Sequence, residues 1–396
     1  MTETRRDPGN AMDRLIRGAA AAGLAGAAAC GAAAVTVPEA FFPAYLVALL
    51  FWTGISAGSL AVLMLHLLVG GTWGLLVRRP QEAAAGALPI LALFFLPLLG
   101  GLETLYPWSR PEVVGGDELV RHRTPYLNAP FFVARAGTYF GVWAVLAIAL
   151  RRGSLALDRT PDPAAARRLR FLSGPGLIAY GLAVTFMAVD WVMSLEAHWF
   201  STIFGMIFMA GQGLSGLCAG VLAAALLARR EPMAGALTPG RLNDLGNLVL
   251  TFVLLWAYTS FAQYLIIWSG NLPEEIDWYL HRSAPGWRAF AAVLATVHFA
   301  APFFLLLSKR VKRSRRAMMI LAGGLLGARL GDLFWQVIPS AGAAGPHLAW
   351  TLPAALVGIG GFWLAAATAL LRRAPLLPVH APGTERLFAS EEGAHG

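Results

Sequence analysis

VDWVMSLEAHWFSTIFG, residues 189–205, closes one long apolar run with an aspartate, turns a short acidic and aromatic corner, and opens the next apolar run. Two apolar runs joined by so short a corner read as a helical hairpin within a bilayer. Asp190 stands about five positions from the end of its run, roughly 7 Å along a helix axis. A carboxylate at that depth costs on the order of 2.5–3.5 kcal/mol on insertion scales, so it must be compensated or used.

The composition extends this reading to the whole chain. Of 396 residues, 57% are hydrophobic and 13% charged, with a mean hydropathy of +0.60. Soluble domains carry about 25% charged residues, so the sequence predicts an all-α integral membrane protein. A net charge of +9 would suggest nucleic acid in a soluble chain. Here the excess lies in short loops, where Lys and Arg orient helices, and no nucleic-acid partner is expected. Cys30 and Cys218 both sit in apolar runs and offer no disulfide framework. There is no C-x-x-C-H haem attachment and no iron–sulfur cysteine run, so no covalently bound cofactor is expected. Walker, G-x-S-x-G, H-E-x-x-H and paired-cysteine metal motifs are absent too.

Apolar stretches long enough to span predict ten helices, near 15–36, 41–70, 84–107, 128–150, 171–194, 199–228, 243–269, 288–308, 317–338 and 347–371. The loops on the side of the termini hold 24 of the 31 Lys and Arg, against 5 on the other side. This bias predicts cytoplasmic termini in a bacterial inner membrane. Tyr106, Trp108, Trp191, Trp199, Trp268, Trp278 and Trp287 would form the outer aromatic belt. The first helix is nearly all Gly and Ala (GAAAAGLAGAAACGAAA from Gly18), which suits close packing on a partner helix. The rival reading is a cleaved signal peptide. The tail after Arg373 reads as a short, poorly ordered cytoplasmic segment.

The loops repeat. Spans 2–5 and 6–9 each have a long outer loop after their second helix (107–127 and 271–287) and a strongly basic inner loop after their third. Each block also closes with an aspartate-bearing helix, Asp190 in one and Asp332 in the other. Both blocks point the same way, which predicts a parallel repeat of two four-helix bundles, residues 41–194 and 199–338. Residues 1–40 and 347–371 supply peripheral first and last helices, and 372–396 the tail.

Several ionisable or polar residues fall inside the spans. Glu103, Arg135 and Asp190 lie in the outer parts of consecutive helices, so the three can meet either as a structural ion pair or as a proton-exchanging site. Arg329 and Asp332, three residues apart, can neutralise each other. Gln212 and Gln263 lie at similar or slightly greater depth. His66 and His298 differ in depth by roughly two turns, too far apart for bis-histidine haem. They suit a proton relay better, with His66 extending the carboxylate cluster inward. The outer loop NLPEEIDWYLHRSAPGW (271–287) reads as an interfacial cap, serving as a lid or as a docking surface.

Four long stretches carry a resemblance: VDWVMSLEAHWFSTIFG, YLNAPFFVARAGTYFGVW (126–143), WAYTSFAQYLIIWSGNLPEE (256–275) and HFAAPFFLLLSKRVKR (298–313). They resemble the NrfD/PsrC-like membrane subunits of alternative complex III, the bacterial quinol:cytochrome c oxidoreductase. The likeness runs from about Ala40 to Arg316. It implies ten helices in two four-helix bundles and a periplasmic iron–sulfur subunit as partner. Multihaem and monohaem cytochrome c subunits and a second NrfD-like subunit are implied as further neighbours. The implied ligand class is quinone or quinol, menaquinone or ubiquinone. The implied role is a scaffold and proton path coupled to quinol oxidation, through the positions held here by His66, Asp190, Arg135 and their neighbours; Glu103, His298, Gln263, Asp332 and Arg329 are candidates from their own place in the spans. Two rivals stand beside it. A proton-coupled secondary transporter would favour an inverted repeat, and a cofactor-free scaffold would hold its charges in buried ion pairs.

Overall fold

The computed structural model describes residues 8–342 and 345–388, and the expected N-terminal segment 1–7 and tail residues 389–396 lie outside them. Ten helices in the described residues are long and apolar enough to cross a membrane. They are α1 (Pro8–Thr36), α2 (Pro38–Val69), α3 (Thr72–Leu105), α4 (Ala129–Arg159) and α5 (Pro163–Leu195). The series continues with α6 (Phe204–Leu227), α7 (Pro239–Gly270), α8 (Pro285–Leu307), α9 (Arg315–Val337) and α10 (Leu348–Arg372). No strand occurs among the described residues, and the chain is an all-α, multi-pass membrane protein.

The centre of the molecule is the crossing of α2 and α6. Glycines make it possible: a Cβ built on Gly58 would lie 1.7 Å from the carbonyl oxygen of Gln212, and one on Gly216 would meet the backbone of Gly58 at 2.3 Å. Without side chains at this point, the two backbones can touch. Around the crossing the packing pairs match. The α2–α3, α3–α4, α4–α5 and α2–α5 contacts have counterparts in α6–α7, α7–α8, α8–α9 and α6–α9. The cross-contacts α2–α9 and α6–α5 match as well.

Expectations change at the third helix and at the tail. The third helix begins at Thr72, well before residue 84, because Arg78 and Arg79 are not loop charges. Both are buried and paired with Glu82, which lets the helix continue through them. The last helix flanks the first bundle: α10 packs on α2 and α3, with the indole of Trp52 donating to the carbonyl of Leu356 at 3.1 Å. The first helix is peripheral and lies on α10, where a Cβ on Gly361 would lie 2.4 Å from the nitrogen of Gly23. The tail is ordered through Phe388, because Leu377, Ala381 and Leu387 are buried against α3 and α7 and the backbone N–H of Val379 donates to Asp158.

Most of the expected belt aromatics are buried. Trp199 stacks on Trp278 at 5.0 Å and Tyr106 on Trp108 at 5.1 Å, leaving Trp268 the strongly exposed member at 67%. They are covered because the long loops at the face away from the termini, the distal face, fold back as short helices.

Candidate functional site

The two closing aspartates are both buried, and their surroundings differ. In the first bundle Arg135 of α4 reaches Asp190 of α5 with two bonds, Nε to Oδ2 at 2.8 Å and a terminal nitrogen to Oδ1 at 3.0 Å. The Tyr139 hydroxyl donates to Oδ2 at 2.5 Å. The other terminal nitrogen of Arg135 binds the carbonyl of Tyr126, and its guanidinium lies 3.8 Å from the centre of the Tyr126 ring. Phe95, Phe132, Phe140 and Trp191 fill the adjoining volume. A bidentate, fully bonded pair in a packed aromatic shell holds two helices together, and neither charged group lines the small cavity of about 260 Å³ beside Tyr126 and Met193.

Glu103 does not join this pair. The distal end of α3 breaks at Pro97, Gly100 and Gly101 into a tighter 3-10 turn, which re-aims Glu103 to the exposed surface. Without it the Arg135–Asp190 unit is neutral, not net negative. His66 is absent from the cluster too. It is buried near the face of the termini, edge-on to Trp73 at 5.3 Å and against Gly74, with Nδ1 unpartnered among the described residues.

In the second bundle Asp332 receives Arg329 from its own helix, the indole N–H of Trp256 at 3.1 Å and the amide of Gln336 at 3.1 Å. Arg329 lies along α6 over Gly211, where a Cβ would strike its guanidinium carbon at 2.4 Å. A cavity of about 580 Å³ adjoins Asp332, within the range of small-molecule sites. Trp256, Gln263 and Tyr264 of α7, Arg288 and Ala295 of α8, and Trp335 and Gln336 of α9 line it. It exists because α8 changes partners along its length. The distal half packs on α9, while the half beyond the π-helical turn Ala295–Ala300 packs on α7. Pro302 promotes that turn, since it lacks the N–H that would bond the carbonyl of His298. The result is a lateral gap between α7 and α8.

Four buried polar atoms, on three residues at this site, have no partner among the described residues. They are the indole N–H of Trp335 and Oε1 of Gln336, two residues that line the cavity but hold these atoms buried behind its wall, and both ring nitrogens of His298. His298 is fully buried one turn beyond Ala295, its ring 3.9 Å from that of Trp256. Gln263 accepts from Ser201 at 2.9 Å, and Gln212 accepts from Tyr180 at 3.0 Å outside the cavity.

The segment Pro273–Leu280 covers the cavity, fastened by Arg282. Arg282 donates to the carbonyls of Trp278, Trp335 and Gln336, to Ser340 and to Glu196, with its guanidinium 3.6 Å over the Trp278 ring. Burial lowers its pKa to about 10, against the pull of Glu196, so it stays charged near neutral pH.

Sequence reasoning missed Arg282, Trp335 and Gln336. Gln336 had a signal, its i+4 spacing from Asp332 on one helix face. It also missed a buried cluster near the face of the termini, where Arg79 binds Glu82 at 2.5 Å, Ser154 at 3.1 Å and Asp158. The spacing of Arg78 and Arg79 to Glu82 was the available signal. Comparison with protein-family models and with curated proteins gave no match.

Proposed function

We propose that the chain is a membrane subunit of a bacterial respiratory assembly that oxidises quinol and passes electrons to cytochrome c, and that its second bundle holds the quinol or quinone headgroup. The observation that carries this reading is the cavity beside Asp332, walled in part by Trp335 and Gln336, whose indole N–H and Oε1 lie buried behind the wall without partners among the described residues. Rotation of the two side chains would bring both to a quinol oxygen, which would donate to the amide and accept from the indole. The gap between α7 and α8 gives a lipid-soluble molecule a route from the bilayer, and the aromatic wall suits a flat ring.

When bound, the quinol supplies electrons and protons together. The chain's own part is to orient the ring and take up charge. Asp332 holds the wall residues Trp256 and Gln336 in place through its two oxygens. His298, in contact with Trp256 and without a hydrogen-bond partner among the described residues, is the group placed to accept a proton inward of the cavity. Electron carriers belong to partners, namely a periplasmic iron–sulfur subunit, multihaem and monohaem cytochromes c and a second NrfD-like subunit. Glu103 and His66 have no part in this site. Arg135 and Asp190 act as scaffold.

The test is purification of the tagged chain from its native membrane, with haem c and quinone measured in the product. The expected result is co-purified cytochrome c and about one quinone per chain, with the quinone lost in Gln336→Leu while the cytochrome is retained. A partner-free, quinone-free chain that takes up a solute in proteoliposomes would overturn the reading in favour of a transporter.

A further inference from the structure

Two further cavities lie on the other side of the molecule, in the wedge between α1, α2, α3 and α10. One is an apolar cleft of about 360 Å³, floored by Phe41 and Tyr45 of α2 and walled by Cys30 of α1, Phe94 and Pro97 of α3 and Ile359 of α10. It stays open because α1 rests on α10 and stands off from α3. Directly distal to it is a polar chamber of about 830 Å³, lined by Glu39, Glu103, Thr104, Arg110 and His347. Their linings adjoin along the chain. Ala40 borders the chamber and Phe41 the cleft, while Gly100 of the cleft is one turn before Glu103 of the chamber.

This stacking, apolar within the membrane and charged at its distal face, matches one amphiphile. The two carboxylates offer acceptors for an ammonium group. Arg110 is held in place by donating Nε to the carbonyl of Glu103 at 2.6 Å and a terminal nitrogen to that of Thr104 at 2.9 Å. Its remaining terminal nitrogen has no partner among the described residues and can bind a phosphate oxygen. We propose that this wedge holds a phospholipid of the distal leaflet with a primary-amine headgroup, its phosphate at Arg110, its amine between Glu39 and Glu103, and one acyl chain in the cleft beside Cys30. A primary ammonium has three donors for the two carboxylates, whereas a quaternary headgroup has none and a glycerol headgroup has no positive charge. The site also gives Glu103 a role, one distinct from the ion-pair position expected of it. It is independent of the quinol cavity.

The structure supplies clean variants. Gly31 and Gly100 line the cleft and a Cβ at either meets nothing within 4 Å, so Gly31→Leu and Gly100→Leu add bulk at the cleft with no clash at Cβ. Glu39→Gln and Glu103→Gln change exposed residues and leave the packing alone. The full chain is reconstituted in nanodiscs of equal phosphatidylethanolamine, phosphatidylcholine and phosphatidylglycerol, released into detergent, and its retained lipid counted by native mass spectrometry. The expected result is one phosphatidylethanolamine retained in preference to the other two by about tenfold. Each leucine variant should lose that lipid, and the double glutamine variant should lose the preference while keeping the fold. Equal retention of all three lipids by the unaltered chain would overturn the proposal. So would a leucine variant, or a glutamine variant of unchanged melting temperature, that still holds phosphatidylethanolamine selectively.

Discussion

The two bundles place an aspartate at matching points of their closing helices and use it differently. Asp190 takes its arginine from the neighbouring helix, so the bond ties α4 to α5 and the aromatic shell closes around it. Asp332 takes its arginine from its own helix, three residues earlier, and so places no such tie on the adjacent helix α8. In its distal half α8 leans on α9, apart from α7, and a cavity opens where the first bundle is packed. A repeated position in sequence therefore does not imply repeated chemistry. What decides is whether the counter-charge comes from the same helix or from its neighbour.

That comparison can be broken in order of expected effect. Asp190→Ala should be the most damaging change, because it strands Arg135 in a buried site. A loss of about 3–5 kcal/mol is expected, read as a large drop in melting temperature and in folded yield. Trp335→Phe keeps the ring and removes one N–H, and should weaken binding of a quinol analogue about tenfold, roughly 1.4 kcal/mol, with little change in melting. Its mirror in the first bundle, Tyr139→Phe, should do the reverse and cost about 1–2 kcal/mol of stability with analogue affinity unchanged. If both variants changed binding alike, the distinction between the bundles would fail. Arg282→Met should loosen the cover at residues 273–284, raising its hydrogen exchange and lowering analogue affinity severalfold. The smallest effect is expected from truncation after Ala374, which should raise exchange near Leu75 and Leu242 and leave analogue binding untouched.

Much of this architecture was legible in the sequence, because membrane spans follow from hydrophobic length. The ten helices, the Arg135–Asp190 meeting and the Arg329–Asp332 pair were all readable from span length and spacing. What was not legible depended on local departures from regular geometry. Glu103 turned outward because Pro97 and two glycines tightened the end of α3. His66 faced Trp73, outside the carboxylate cluster, because α3 began twelve residues early with its arginines buried. The cavity depends on a π-helical turn before Pro302, and periodicity does not report where two helices part company. The ordered tail was missed because its few apolar residues, Leu377, Ala381 and Leu387, are too widely spaced to show a pattern.

The most direct test of the central claim is photolabelling of the full chain in proteoliposomes with an azido-quinone, the adducts mapped by mass spectrometry. Saturable labelling confined to residues 256–264 and 332–336, competed by unlabelled quinol, is the expected result. Saturable labelling around Arg135 and Asp190, or none that quinol displaces, would contradict the account.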